Sequence, residues 1–183
     1  ISSGGKQESI GLRDVYIYDL KDREITKLYN TPNRDSNIIS WSSDDKKIII
    51  SESVKTTGQL LLLPINGDNY ISWSNDKYKE GVISSVVKSK NSEYIVLCYE
   101  KLDKPVEVYI SKENNISFEK LSEINNYDFP KLSKTEIISW KSFDGKEIEG
   151  ILTYPKNYNK GSKYPVILQI HGGPAGVFSE RFN

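Results

Sequence analysis

A short motif near the end of the chain has residue types and an order suited to acyl-transfer chemistry. The apolar segment Tyr164–Ile170 runs directly into His171, Gly172, Gly173 and Pro174. A main-chain N–H that approaches a reacting carbonyl group tolerates no Cβ in the way, and a sharp exit from a strand favours positive φ, so glycine suits both needs. Pro174 has no N–H and stiffens the turn. The glycines are therefore candidate oxyanion donors.

The single histidine is not placed as a catalytic base. In α/β-hydrolases the histidine follows the nucleophile and the acid in chain order, whereas His171 directly precedes the glycines. We predict instead that its imidazole braces the loop by hydrogen bonding to the backbone. No Gly-x-Ser-x-Gly nucleophile motif occurs in the 183 residues. We therefore expect this chain to be a piece of an enzyme and to be inactive by itself. The alternative is that Gly172 and Gly173 only make a turn.

The residues before this motif predict the strands that would position it. Asp144 and Gly145 lie between two alternating runs, which is a strong hairpin signal. Glu147 and Glu149 alternate along the second run and predict a solvated strand face. After a polar loop, Tyr164–Ile170 is predicted to be a buried strand. This order is typical of the first strands of an α/β-hydrolase sheet.

The first 132 residues contain an internal repeat with a period of about 45 residues. Similar apolar segments begin at Asp14, Gln59 and Pro105, and the stretch 40–51 is echoed by 86–97. In each period a hairpin is followed by an apolar strand and then by an outer polar strand. Four short strands per period is the pattern of β-propeller blades, although an all-β sandwich is the alternative.

These patterns predict a mainly β chain with a boundary near Ser133. Residues 1–132 are predicted to form about three blades of a β-propeller, as its C-terminal part, with further blades expected before Ile1. Residues 133–183 are predicted to form the first strands of an α/β-hydrolase domain. No α-helix of any length is predicted, although Phe118, Leu121 and Ile124 have the spacing of a helical turn.

Composition narrows the functional classes. Twenty-five basic and twenty-five acidic side chains cancel without a basic block, which argues against a nucleic-acid or membrane-surface partner. The apolar runs are far shorter than the roughly 20 residues of a membrane-spanning helix. Cys98 is predicted to be a small buried hydrophobe, and one cysteine with one histidine argues against a structural zinc site. The low cysteine content is compatible with a cytoplasmic or a bacterial periplasmic protein and does not distinguish the two compartments.

Two segments carry a family resemblance. The stretch Trp140–Pro155, followed by Lys163–Pro174, resembles the start of the peptidase domain in the prolyl oligopeptidase family. Within that family it is most similar to the acylaminoacyl-peptidase and dipeptidyl-peptidase branches, in which a β-propeller precedes the hydrolase domain. The resemblance is strong over residues 138–178 and weak over residues 10–132.

The resemblance implies a serine peptidase that hydrolyses short peptides through an acyl-enzyme, as an aminopeptidase or oligopeptidase. It implies a Ser-Asp-His triad beyond Asn183 and a propeller that restricts access to small or unstructured substrates. It also implies that the loop supplies one oxyanion donor, with the main-chain N–H of Gly173 as the first choice and that of Gly172 as the second. No metal or coenzyme is implied, and a homo-oligomer remains open.

Two other functions remain open from the sequence. One is a non-catalytic β-propeller interaction module, in which the glycines only make a turn. The other is an esterase of the α/β-hydrolase type, because one oxyanion hole serves acyl transfer from an ester or an amide.

Overall fold

The computed structural model describes residues 12–73, 78–91, 93–173 and 176–182. Within those ranges the chain forms twelve β-strands and no α-helix. The prediction of a mainly β chain is therefore confirmed. No helix in the described ranges is long and apolar enough to cross a membrane.

The strands are short and follow one another along the chain. Their bounds are β1 Tyr16–Tyr18, β2 Ile25–Lys27, β3 Asn37–Trp41, β4 Lys47–Val54, β5 Thr57–Pro64, β6 Ile71–Ser72, β7 Val82–Lys88, β8 Tyr94–Lys101, β9 Lys104–Lys112, β10 Asn115–Lys120, β11 Thr135–Lys141 and β12 Glu147–Thr153.

Eight of the strands form two antiparallel meanders. In the first meander, β3, β4, β5 and β6 each pair with the next strand. In the second meander, β7, β8, β9 and β10 do the same. The hairpin β1–β2 forms a separate two-stranded sheet before them. The repeated segments beginning at Gln59 and Pro105 thus fall on β5 and β9, which are the third strands of their meanders.

The first meander is buried on both faces, and this explains its apolar runs. Ile48–Ile50 of β4 and Leu60–Leu63 of β5 are almost entirely buried. Alternate residues point to opposite faces of a strand, so a run without polar interruption needs an apolar partner on each side. One face packs with the second meander through Trp73, Ile83 and other residues. The opposite face packs with Val15 and Leu28 from the first hairpin and its flanks.

A single parallel residue pair joins the two meanders, Gly58 of β5 with Val82 of β7. We call this contact between successive units the seam. Beside it, the Gly58 N–H donates to the Gly81 carbonyl at 3.1 Å. An equivalent parallel bridge links Arg13 with Asp35 ahead of β3. The repeat therefore extends from the strands to the contact between successive units.

The hairpin predicted around Asp144 and Gly145 is confirmed. Strands β11 and β12 pair in register from Thr135 with Thr153 to Lys141 with Glu147. The Gly145 N–H donates to the Ser142 carbonyl at 3.0 Å, and Gly145 has φ of 80°. Positive φ carries little cost for glycine, which explains its place in the turn.

The prediction that Tyr164–Ile170 is a buried strand is wrong for this chain. The segment makes no ladder with any described strand, and Ile167 and Leu168 are 95% and 80% exposed. A buried central strand needs a strand on each side and a layer over each face. In the described residues β11 and β12 pair only with each other, so neither condition is met.

Three smaller expectations also change. Cys98 is a free, half-buried cysteine on β8 rather than a buried one, because it lies on the strand face opposite Leu97. The region of Phe118 belongs to β10, which pairs with β9, so the helical-turn spacing is not used. Glu149 is not simply solvated, because its carboxylate accepts a hydrogen bond from Lys55 Nζ at 2.6 Å.

Candidate oxyanion loop

Gly173 has the backbone conformation that makes it a special position. Its φ is 133°, in a region that residues with a side chain rarely adopt. In the described ranges no acceptor is bonded to the N–H of Gly172 or Gly173. Neither amide is therefore committed to an acceptor in that part of the chain. Pro174, the fourth residue of the predicted motif, lies outside the described residues.

Gly172 and Gly176 differ in what surrounds them. A Cβ on Gly172 would meet nothing within 4 Å, so the chain itself does not require glycine there. A Cβ on Gly176 would lie 2.2 Å from the Gly172 carbonyl oxygen. The loop thus folds back on itself, and only glycine fits the close approach. Sequence reasoning missed Gly176, because the close approach joins it to Gly172 only in the folded loop.

His171 lies beside the loop backbone. Its Nδ1 is 3.2 Å from the Gly172 carbonyl oxygen, and its ring centroid is 6.2 Å from that of Phe178. A carbonyl oxygen can only accept, so a hydrogen bond here requires the proton on Nδ1. The imidazole therefore lies against the loop backbone, and its role as a brace of the loop stays a prediction.

The residues after the loop form a strap, residues 179–182, that is fixed to the meanders. Glu180 is 6% exposed, and its carboxylate accepts from Thr56 Oγ1 at 2.8 Å and from the Gly81 N–H at 2.7 Å. The Glu180 N–H also donates to the Thr56 carbonyl at 2.8 Å. Hydrogen bonds to a charged group are among the stronger ones in proteins. Glu180 therefore holds the strap on both meanders at once.

The end of the strap is bound to a second carboxylate. Glu100 of β8 is almost fully buried; it pairs with Arg181 and accepts from the Phe182 N–H at 3.1 Å. The Phe182 ring lies 5.1 Å from that of Phe129, in an edge arrangement. Sequence reasoning did not find the strap, because its polar residues match no short motif.

The hairpin β11–β12 is attached near the same place. Lys55, in the turn between β4 and β5, pairs with Glu149 at 2.6 Å and with Glu147 at 3.8 Å. The hydrogen bond from Lys55 to Glu149 raises the pKa of the lysine. Beside this contact lies a cleft of about 320 Å³ that is lined by Lys55, Thr57, Gln59, Lys79, Glu149 and Glu180.

Chemically, the loop offers main-chain hydrogen-bond donors and no nucleophile. Two adjacent amides at a glycine turn suit a developing oxyanion, provided that another part of the protein supplies the attacking group. Within the described ranges, no group of three or more metal-ligating side chains is found.

The chain is similar in sequence to known proteins. No protein-family model matches it. It is 24% identical over 173 residues to the probable dipeptidyl-peptidase 5 of Aspergillus niger, covering 92% of this chain and 23% of the relative. It is 28% identical over 168 residues to dipeptidyl-peptidase 5 of Aspergillus oryzae, covering 88% and 22%. The chain therefore resembles these dipeptidyl-peptidases over most of its own length. The family resemblance predicted from the sequence is therefore confirmed.

Solved structures show a similar fold. A candidate dipeptidyl aminopeptidase IV from Bacteroides ovatus superposes with a TM-score of 0.67 at 18% identity, over 93% of this chain and 25% of that one. The AtxE2 isopeptidase with bound Astexin3-dC4 gives a TM-score of 0.63 at 13% identity, over 87% and 23%. The dipeptidyl-peptidase-like chain thus spans about a quarter of the length of the proteins it matches.

Proposed function

We propose that this chain supplies the oxyanion loop of a serine peptidase that hydrolyses short peptides. The observation that carries the proposal is the pair of amides at Gly172 and Gly173, which have no bonded acceptor among the described residues, with the second glycine at φ of 133°. The dipeptidyl-peptidase names of the relatives support a peptidase rather than another acyl-transfer enzyme. The catalytic serine, aspartate and histidine would belong to the rest of the protein.

In this proposal the loop acts at the tetrahedral stage. A serine hydroxyl elsewhere in the protein attacks the peptide carbonyl carbon, and its proton passes to the histidine of the triad. The carbonyl oxygen then carries the negative charge, and the Gly173 N–H donates to it, with Gly172 as the second choice. Collapse expels the amine, and water hydrolyses the acyl-enzyme. This chemistry needs no metal or coenzyme.

The proposal includes a β-propeller formed by the first part of the chain. Two four-stranded meanders follow a two-stranded hairpin, and the seam contact is repeated between units. This is how successive blades would meet, with the hairpin as the last two strands of a preceding blade. The meanders would cover the active site and restrict it to short peptides.

A fluorophosphonate probe tests the proposed function. We expect the full-length protein to be labelled on a serine outside this chain and to release dipeptides from short peptides. Labelling of the 183-residue chain alone would contradict the proposed division of the catalytic groups. An unlabelled, folded full-length protein would contradict the serine peptidase, and turnover of esters without peptides would favour an esterase.

A further inference from the structure

The proposed chemistry does not use Glu180, although its carboxylate is buried and hydrogen-bonded near the loop. Its side chain is almost completely buried, and both carboxylate oxygens accept hydrogen bonds, one from Thr56 and one from Gly81. Burial of a carboxylate is costly unless it is well bonded. A buried acid with two donors therefore fixes the position of the chain that carries it.

One of the two donors to the Glu180 carboxylate, the Gly81 N–H, lies beside the seam. Gly81 donates to Glu180 through its N–H and accepts from Gly58 through its carbonyl. A Cβ on Gly81 would lie 2.3 Å from the Glu100 carbonyl oxygen, so this backbone is tightly enclosed. Glu180 is thus attached to a part of the fold that has little room to move.

The strap is close enough to the loop to fix it. Gly176 lies directly against the Gly172 carbonyl, and only three residues separate Gly176 from Glu180. A chain extends by at most about 3.6 Å per residue, so a displaced strap displaces the loop. On the upstream side, Tyr164–Ile170 has no ladder partner in the described residues. The strap is therefore the loop's anchor within this chain.

We infer that Glu180 is a positioning residue, which holds the Gly172–Gly173 amides at a fixed place relative to the seam between the meanders. This inference rests on the proposed function, because the position matters only if the amides meet a reacting carbonyl. An error of about 1 Å in a catalytic group is enough to lower a rate about 100-fold.

Four variants of the full-length protein test the inference. Glu180→Ala removes both hydrogen bonds, whereas Glu180→Gln can accept from Gly81 and donate to the Thr56 hydroxyl, which is able to accept. Thr56→Val removes one bond and nearly keeps the side-chain shape. Glu93→Gln is the matched control, because Glu93 is a surface carboxylate paired with Lys112 at 3.1 Å.

We expect Glu180→Ala to lower kcat about 10- to 100-fold with KM changed less than about threefold, since the amides act mainly in the transition state. Glu180→Gln should recover most of that loss, Thr56→Val should be intermediate, and Glu93→Gln should match the wild type. Hydrogen exchange of the Glu180 and Phe182 amides, which donate to the Thr56 carbonyl and the Glu100 carboxylate, should be faster in Glu180→Ala and unchanged in Glu93→Gln.

The two hypotheses fail in different ways. A wild-type protein without peptidase activity or probe labelling contradicts the proposed function, while hydrogen exchange still tests the strap. An active wild type whose Glu180→Ala variant keeps full kcat, or loses only substrate affinity, overturns the positioning role. If Glu180→Ala does not fold, the Thr56→Val variant tests the positioning role instead. Wild-type kcat together with wild-type hydrogen exchange in Thr56→Val would overturn that role.

Discussion

At the scale of single residues, backbone conformation separates the two glycines of the loop. Gly173 lies at φ of 133°, where a residue with a Cβ is strained, whereas space around Gly172 is open. Adjacent glycines with the same sequence signal therefore have different physical requirements. The loop geometry favours Gly173 as the position that defines the turn.

We expect Gly173→Ala to lower kcat of the proposed full-length peptidase about 10- to 100-fold, because about 1 to 3 kcal/mol of strain would shift the loop. Gly172→Ala tests the second choice and should lose less rate than Gly173→Ala, since its Cβ contacts nothing in the chain. Steady-state kinetics with a short peptide checks both. The reverse order of effects would contradict the assignment of Gly173 as first choice.

Asp14 illustrates a buried carboxylate with a structural role. Its side chain is 4% exposed; it accepts from Arg34 at 2.8 and 2.7 Å and pairs with Lys27 at 2.9 Å. The hydrogen bond from Arg34, aided by Lys27, holds the pKa of Asp14 below its ordinary value of 3.8. The ionised form is therefore favoured in the folded protein.

The depressed pKa predicts a pH dependence of stability. Its contribution is complete above pH 3.8, the ordinary value, and is lost as the pH falls through the lower folded pKa. We expect Asp14→Asn to cost about 2 kcal/mol at pH 7 and progressively less below pH 4. Urea unfolding across this range, with exposed Asp103→Asn as control, measures it. A constant difference between wild type and Asp14→Asn at all pH values would contradict this origin.

At the scale of elements, the seam between units uses a residue of positive φ each time. Arg34 has φ of 51° before β3, and Gly81 has φ of 81° before β7. The carbonyl of each accepts from the preceding unit, from Arg13 and Gly58 respectively. The conformation belongs to the repeat, but only the second seam encloses the residue so tightly that glycine is required.

Two glycines of almost equal φ isolate that steric requirement. Gly81→Ala brings a Cβ to within 2.3 Å of the Glu100 carbonyl, whereas Gly145→Ala meets nothing within 4 Å. Both pay the strain of positive φ, and overpacking adds about 1 to 3 kcal/mol at Gly81 alone. We expect a clearly lower thermal midpoint for Gly81→Ala, measured by calorimetry of the full-length protein. Equal midpoints for the two variants would show that the seam relaxes freely.

At the scale of the whole molecule, the chain exposes an apolar segment beside its candidate site. Val166, Ile167, Leu168 and Ile170 are each at least 78% exposed. A contiguous apolar surface of this kind marks an interface with something else. In a longer protein, other strands of the proposed hydrolase sheet would cover it.

This exposure predicts different behaviour for the chain and the longer protein. We expect the 183-residue chain to bind the dye ANS, and the Ile167→Lys and Leu168→Lys double variant to bind much less. In the full-length protein the same double variant should lose its cooperative unfolding, because both positions would be buried there. Equal ANS fluorescence of the two short chains would contradict the assignment of the apolar surface.

The sequence by itself determined what depends on near neighbours along the chain. Alternation and turn residues gave the β11–β12 hairpin around Gly145, the repeated strands, and the glycine turn at Gly173. The wrong prediction at Tyr164–Ile170 has the same origin, because an apolar run of residues indicates only that a strand can be buried. Whether it is buried depends on which other strands surround it.

Only the tertiary structure decided which distant residues meet. Glu180 bonds to Gly81, 99 positions away, and Lys55 bonds to Glu149, 94 positions away. No period or motif encodes such a pair, because a carboxylate accepts from any donor that the packing of strands brings within reach. The seam and the strap are therefore visible only in the three-dimensional structure. The sequence supplies their donors and acceptors, and the fold brings these groups together.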